Sequence, residues 1–123
     1  MENYVNVRPE HLNFHGYLFG GEMLKWLDEF AWMAASRDYP GATMVTVAID
    51  NILFKNRVVN GSILHFVIEV FKTGTSSVTY NVEVFCDEPG SFDEKEVFSS
   101  RITFVNLDGD GKPMPLPLKT ENT

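Results

Sequence analysis

The chain has 123 residues, enough for one domain with a real core, and its 44% apolar and 13% aromatic content is that of a folded protein. A net charge of −7 argues against broad attraction to nucleic acid or an anionic membrane, so an anionic ligand must find local basic residues or backbone N–H groups. The lone Cys86 excludes an internal disulfide and fits a reducing, cytoplasmic compartment, Met1–Pro9 has no apolar signal region, and no apolar run approaches the ~20 residues that span a bilayer.

Residues Glu2–Glu10 read as extended, because Pro9 restricts Arg8 to β or polyproline geometry. Leu12–Leu18 reads as a short strand or extended loop interrupted at Gly16. A helix is expected from Gly20 or Gly21 to about Ser36–Asp38, ahead of Pro40-Gly41. At helical spacing Met23, Leu24, Leu27, Phe30, Ala31, Ala34 and Ala35 share one broad face, with Glu22, Lys25 and Glu29 opposite. Trp26, Trp32 and Met33 fall on or beside the polar face, which predicts a second covering layer, most simply another subunit. Asp28 lies at the border of the apolar face, where a carboxylate is partly desolvated and still reaches a cleft.

From Met44 the period changes to two. Val45, Val47 and Ile49 alternate with Thr46, Ala48 and Asp50; Lys55–Ser62 is a connection with a turn at Asn60-Gly61. Leu64, Phe66, Ile68 and Val70 form the next apolar face, and Thr73-Gly74-Thr75 turns the chain into Val78, Tyr80, Val82 and Val84. After an acidic loop over Asp87–Lys95, a last strand over about Val97–Leu107 places Phe98, Ile102 and Phe104 together. Asp108-Gly109-Asp110-Gly111 ends it, and Pro113, Pro115 and Pro117 keep the tail extended. Short turns make most pairings antiparallel. One buried helix against four such strands predicts an α+β domain over residues 1–123: an antiparallel sheet wrapped around one long helix, with an extended tail from about residue 108.

Chemistry concentrates at the helix mouth. Unpaired N–H groups at a helix N-terminus carry partial positive charge and can hold a carbonyl oxygen as it becomes an oxyanion, and Gly20-Gly21 leaves that approach open. Glycine there also serves the plainer purpose of turning and close packing. Asn13 can position a water or bind a carbonyl, His15 can act as an acid–base group near neutral pH, and Asp28 is the strongest catalytic candidate. Taken alone, Asp28 also reads as a solvated helix aspartate beside Lys25. Cys86 has no local basic partner and reads as a packing residue; His11 and His65 lack metal-ligand spacing, so no metal site is expected. The Asp108–Asp110 loop lacks the remaining ligands of a calcium loop.

Together, Asn13-x-His15-Gly16-x-x-Phe19-Gly20-Gly21-x-x-Leu24-x-x-x-Asp28 resembles the signature of hotdog-fold acyl-CoA thioesterases. The nearest likeness is to the bacterial short- and medium-chain acyl-CoA hydrolases, which are related to the animal cytosolic ones. Asp28 stands seven residues after the second glycine, on the position of that family's acid. The likeness continues through Val45-Thr46-Val47-Ala48-Ile49, Phe54-Lys55, Val58-Val59-Asn60-Gly61, Thr73-Gly74-Thr75-Ser76-Ser77, Val82-Glu83-Val84-Phe85 and Phe104-Val105-Asn106-Leu107-Asp108. It implies a hotdog fold and a homodimer with a continuous sheet and interface sites, assembled further to a tetramer or hexamer.

The resemblance also implies hydrolysis of acyl-CoA, or another acyl thioester, to free acid and thiol with no separate cofactor. Asp28 would be general base or nucleophile, Asn13 the polar partner of water or thioester, and the Gly20 and Gly21 amides the carbonyl's donors. Family members often carry arginine where this chain has Thr75, and proline where it has Asn56-Arg57. Thr75, Ser76 and Ser77, with Lys55, Arg57 or Lys72, are the groups left to meet the CoA phosphates. Two alternatives stay open: a hotdog hydratase or dehydratase with His15 as base, and a non-catalytic acyl-CoA-binding module.

Overall fold

A computed structural model describes residues 1–121. Strand β1 spans Glu2–Asn6, helix α1 Gly20–Asp38, β2 Met44–Phe54, β3 Ile63–Thr73, β4 Ser77–Asp87 and β5 Lys95–Asn106, with a short 3₁₀ turn at Pro9–His11. The strands form one antiparallel sheet in the order β1-β3-β4-β5-β2, which curls around α1. The sheet therefore has five strands among the described residues rather than the expected four. The extra one comes from the extended Glu2–Glu10 stretch, which pairs with β3.

Helix α1 begins and ends where glycine and proline place it. Phe19 is extended at its start, and Tyr39 returns its N–H to the Ala35 carbonyl before Pro40 and Gly41, which has φ +88°. Met23, Trp26, Leu27, Ala31, Ala34 and Ala35 are buried. The three alanines keep the C-terminal half thin enough to lie against Phe66, Val78, Tyr80, Ile102 and Phe104, all essentially inaccessible. Burying each such side chain contributes roughly 1.5–3 kcal/mol, so this face fixes the position of the helix within the sheet.

Two expectations about side-chain faces change. Trp26 needs no second subunit: the 3₁₀ turn folds across it, and the His11 ring meets it edge-on at 4.9 Å, leaving it 7% exposed. Met33 is half-buried, so Trp32, at 48% exposed, is the uncovered aromatic on this helix. In β2 the alternation breaks, because register shifts between Thr46 and Ala48 and between Asp50 and Leu53 re-aim the side chains. Val47, which the alternation put on one face with the half-buried Val45 and Ile49, is 55% exposed, as are Leu53 and Phe54. Asn51 adopts φ +53° at the second shift, and the buried Ser100 Oγ donates to the Asp50 carbonyl at 2.9 Å beside it.

The C-terminal tail is extended as expected, and it is tied down. Asn106 Nδ2 donates to the Pro115 carbonyl at 3.1 Å, Leu116 N–H to Thr75 at 2.9 Å, and Thr120 N–H to Asp38 at 2.7 Å. Cys86 is buried in the core, and burial pushes its thiol up from its ordinary pKa, as a packing role requires.

Strand β1 is held to the sheet by a titratable clamp on the outer face. His65 on β3 stacks on Tyr4 of β1 at 4.5 Å, Nε2 meets the Glu2 carboxylate, and Nδ1 lies 3.1 Å from Glu94 Oε2. A neutral imidazole has one N–H, so only the imidazolium serves both carboxylates. Burial opposes that charge, but the hydrogen bonds and charges of Glu2 and Glu94 outweigh it and raise the pKa above 6.5. With the folded value above the unfolded one, the clamp's contribution is complete below about pH 6.5 and is lost as pH rises through the folded value. His65→Gln is expected to cost about 0.5–1 kcal/mol more at pH 5 than at pH 9. Denaturant midpoints at the two values check this; equal losses at both contradict it.

Candidate active site

The loop before α1 is built by Asn13. Its Oδ1 accepts from His15 N–H at 2.9 Å and Tyr17 N–H at 3.2 Å, and its own N–H donates to the Tyr17 carbonyl at 2.7 Å. Gly16 closes the turn at φ +87°, a conformation that favours glycine. The oxygen is thus committed to the loop, and Nδ2 is the end of this amide left to donate elsewhere. Leu18 N–H to Val58 and Phe19 N–H to His11 then seat the loop against the body, at 2.9 and 3.0 Å.

Gly20 and Gly21 open the helix, and among the described residues no protein acceptor meets their N–H groups, as expected for a helical first turn. A Cβ at Gly20 would sit 3.4 Å from the Phe54 ring, and one at Gly21 only 2.9 Å from the Phe19 ring. A side chain at Gly21 would therefore have to displace Phe19, whereas one at Gly20 would meet Phe54 at ordinary contact, and both N–H groups stay open to an acceptor. Beside Gly20 is a cavity of about 570 Å³ whose rim carries Asn13, His15, Lys55, Asn56 and Arg57. Lys55 is already paired with Glu96 at 2.6 Å, whereas the Arg57 guanidinium lies over the Tyr17 ring at 4.8 Å. Arg57 is therefore the rim's more available charge.

Asp28 lies elsewhere. It is half-buried in a separate recess of about 460 Å³ shared with Lys25, Trp32, Met44 and Thr46. Its Oδ1 accepts a hydrogen bond from Thr46 Oγ1 at 2.6 Å, which leaves Oδ2 as the carboxylate's second acceptor. Trp32 Nε1 donates to the Met44 carbonyl at 3.2 Å, tying the same stretch of helix to the start of β2. Thr46 was not singled out as a site residue by the sequence; its signals there were its place between Val45 and Val47 in the alternation and its membership of the Val45–Ile49 stretch of the resemblance.

Helix α1 and strand β2 therefore run in opposite directions. The Gly20 end of the helix meets Phe54 at the end of β2, and Asp28 meets Thr46 near its start. Along the helix axis Gly21 and Asp28 are about 10 Å apart, too far for both to touch one reacting carbon. The candidate CoA contacts divide in the same way. Lys55 and Arg57 follow the end of β2, whereas Thr75, Ser76 and Ser77 lie by its beginning, where Ser76 accepts from Asn106 N–H and Asn106 Oδ1 accepts from Thr43 N–H, both at 2.9 Å. A strand of eleven residues separates the two groups by roughly 35 Å. In one chain the candidate residues thus fall into two separate groups, one at each end of β2.

The model of the thioesterase superfamily matches residues 15–92. The mouse cytosolic acyl coenzyme A thioester hydrolase is 31% identical over 115 residues, covering 90% of this chain and 29% of that protein. The chain thus spans under a third of that relative. An acyl-CoA hydrolase of Staphylococcus aureus, solved with butyryl coenzyme A and coenzyme A, superposes with a TM-score of 0.86 at 31% identity over 100% of this chain and 75% of the other. A hexameric hotdog-fold thioesterase of Campylobacter jejuni superposes with a TM-score of 0.82 at 30% identity, covering 93% and 87% of the two chains. The sheet curled around α1 is a hotdog fold, and the chain belongs to the thioesterase superfamily.

Proposed function

We propose that this chain hydrolyses acyl-CoA thioesters to free acid and CoA at a site completed by a second copy. The observation that carries the reading is that the candidate residues fall in two groups at opposite ends of β2, whose outer edge has no strand beside it among the described residues. Two copies pairing antiparallel along that edge, about a two-fold axis near Asp50, set the end of one β2 beside the start of the other. Asn13, Gly20 and the cavity of one copy then face the partner's Asp28 and Thr46. The same operation brings Lys55 and Arg57 of one copy toward the partner's Thr75–Ser77 loop, so the divided CoA contacts also reunite. Exposed Val47, Leu53 and Phe54 supply the apolar surface for this contact.

In the reaction, the Gly20 and Gly21 amides and Asn13 Nδ2 polarise the thioester carbonyl. Asp28 takes a proton from water as the water oxygen bonds to the carbonyl carbon. The tetrahedral intermediate collapses with cleavage of the C–S bond, and the proton passes to the departing CoA thiolate. Thr46 fixes the carboxylate by occupying one oxygen and leaving the other for water. Thr46→Val is expected to lower kcat about tenfold, the cost of a hydrogen bond to a charged group, and stopped-assay kinetics at saturating substrate check it. An unchanged kcat removes Thr46 from the site.

Two likenesses support the assignment. The Staphylococcus hydrolase has also been solved with an aspartate and, separately, an asparagine replaced by alanine, the two being as far apart in its sequence as Asn13 and Asp28 are here. The Campylobacter relative is hexameric, and a trimer of the dimers described here is the assembly we assign to this chain. Light scattering that returns a monomer at micromolar concentration overturns it. No helix among the described residues is long and apolar enough to cross a membrane, and a cytoplasmic location is part of the same reading. Recovery of the protein in the membrane or secreted fraction contradicts that part. The activity is tested by free thiol released from a panel of acyl-CoA esters; absence of turnover on every ester ends the hydrolase claim.

A further inference from the structure

The cavity beside Gly20 has two ends of different character. Its rim is polar, with exposed Asn56 and Arg57 beside half-buried Asn13. Its inner wall is formed by Leu18, Met23, Val58 and Val97, and the last three are 2%, 3% and 1% exposed, so this end stops against the core. A CoA thioester likewise differs on its two sides. The pantetheine arm carries amides that lose their water partners at an apolar wall, whereas a hydrocarbon chain gains by leaving water. With the carbonyl at the Gly20 amide, the apolar end suits only the acyl chain, and the polar rim suits the CoA side.

Met23 stands at the end of that path. It follows Gly20 by three residues, one helical turn, or roughly 5 Å along the axis. A hydrocarbon chain with ~1.5 Å bonds advances only about four carbons over that distance. We infer that Met23 is the stop that sets acyl length, so that the preferred substrates carry short, unbranched acyl chains of about four to six carbons. The inference rests on the thioesterase reading above and adds a specificity-determining residue to it. Val58 and Val97 are β-branched and held by the core, whereas the unbranched Met23 side chain is the one whose truncation opens space along the helix.

The test is kcat/KM across a straight-chain acyl-CoA series from acetyl to dodecanoyl for the parent, Met23→Ala and Met23→Val, each first shown to unfold cooperatively. For the parent, kcat/KM is expected to peak at a short chain and fall at least about tenfold beyond it, the usual discrimination for an excluded methylene pair. Met23→Ala is expected to move the peak two or more carbons longer, and Met23→Val to move it less in the same direction. Chain-length profiles that run parallel in all three proteins overturn the role of Met23 while leaving hydrolysis intact. If the parent turns over no ester, calorimetric affinities for the same series replace the rates: a shift to longer chains in Met23→Ala upholds the stop, and parallel affinities reject it.

Discussion

Asp28→Asn is expected to lower kcat for acyl-CoA hydrolysis by at least about a hundredfold, the usual contribution of a positioned general base. KM should change little, because in the proposed site the substrate is held by the cavity rim and the Gly20 and Gly21 amides rather than by the carboxylate. The substitution keeps the shape of the side chain, and an amide oxygen still accepts from Thr46, so the melting temperature should stay close to that of the parent. A protein that unfolds normally but hydrolyses at a fraction of a per cent of the parental rate isolates the loss to chemistry. Equal rates for parent and variant would remove Asp28 from the mechanism, whatever its contact with Thr46 does for the fold.

The second large effect is expected at the free edge of β2. The proposed antiparallel register centred near Asp50 sets Val47 of one copy opposite Leu53 of the other, both of them exposed residues of β2. Like charges placed directly opposite one another in a sheet are destabilising, and here they would also replace buried apolar surface. Val47→Asp combined with Leu53→Asp is expected to break the β2 contacts of the proposed hexamer, so that light scattering at micromolar concentration returns a mass below the hexamer's and down to the monomer's, and to reduce hydrolysis at least about a hundredfold because each proposed half-site loses its complement. Both side chains are about half exposed in a single chain, at 55% each, so the monomer should retain the β-sheet signature in circular dichroism. Full activity in a monomer would show that one chain suffices.

The sequence made the helix and three of the strands readable because each buries one regular face. Met23, Leu27, Ala31, Ala34 and Ala35 repeat at helical spacing, while Leu64, Phe66 and Ile68, then Val78, Tyr80, Val82 and Val84, then Phe98, Ile102 and Phe104 share strand faces, and all of these residues are buried. Val70, read onto the same face as Ile68, is 39% exposed, next to the register shift between Val70 and Lys72. Strand β2 was readable as a strand but not in its facing. Its register shifts reverse Val47, and a shift is decided by pairing with β5, not by local residue type. Likewise Trp26 looked unpartnered because its cover, His11, comes from a short turn with no periodic pattern of its own.

At the site, the motif spacing exposed Asn13, Gly20, Gly21 and Asp28 as candidates but not their separation. A spacing along the chain does not show how far apart the two groups lie from one another; that emerges only once the helix is seen running opposite to β2, with Phe54 at Gly20 and Thr46 at Asp28. The cavity's blind end was equally hidden, since Met23 reads as one more core residue until Val58 and Val97 arrive beside it from other parts of the chain. Arg57 gained weight over Lys55 for a similar reason, because the Lys55–Glu96 pairing joins residues far apart in sequence.

Subunit complementation tests the shared site most directly. Asp28→Asn and Asn13→Ala proteins are each purified, dissociated together in mild denaturant and allowed to reassemble as a mixture. If each site takes Asn13 from one copy and Asp28 from the other, a mixed dimer holds one intact site and one doubly altered site. Random pairing of equal amounts then restores about a quarter of the parental activity from two nearly inactive proteins. If both residues act within one chain, no pairing restores an intact site, and a mixture no more active than its components would contradict the account.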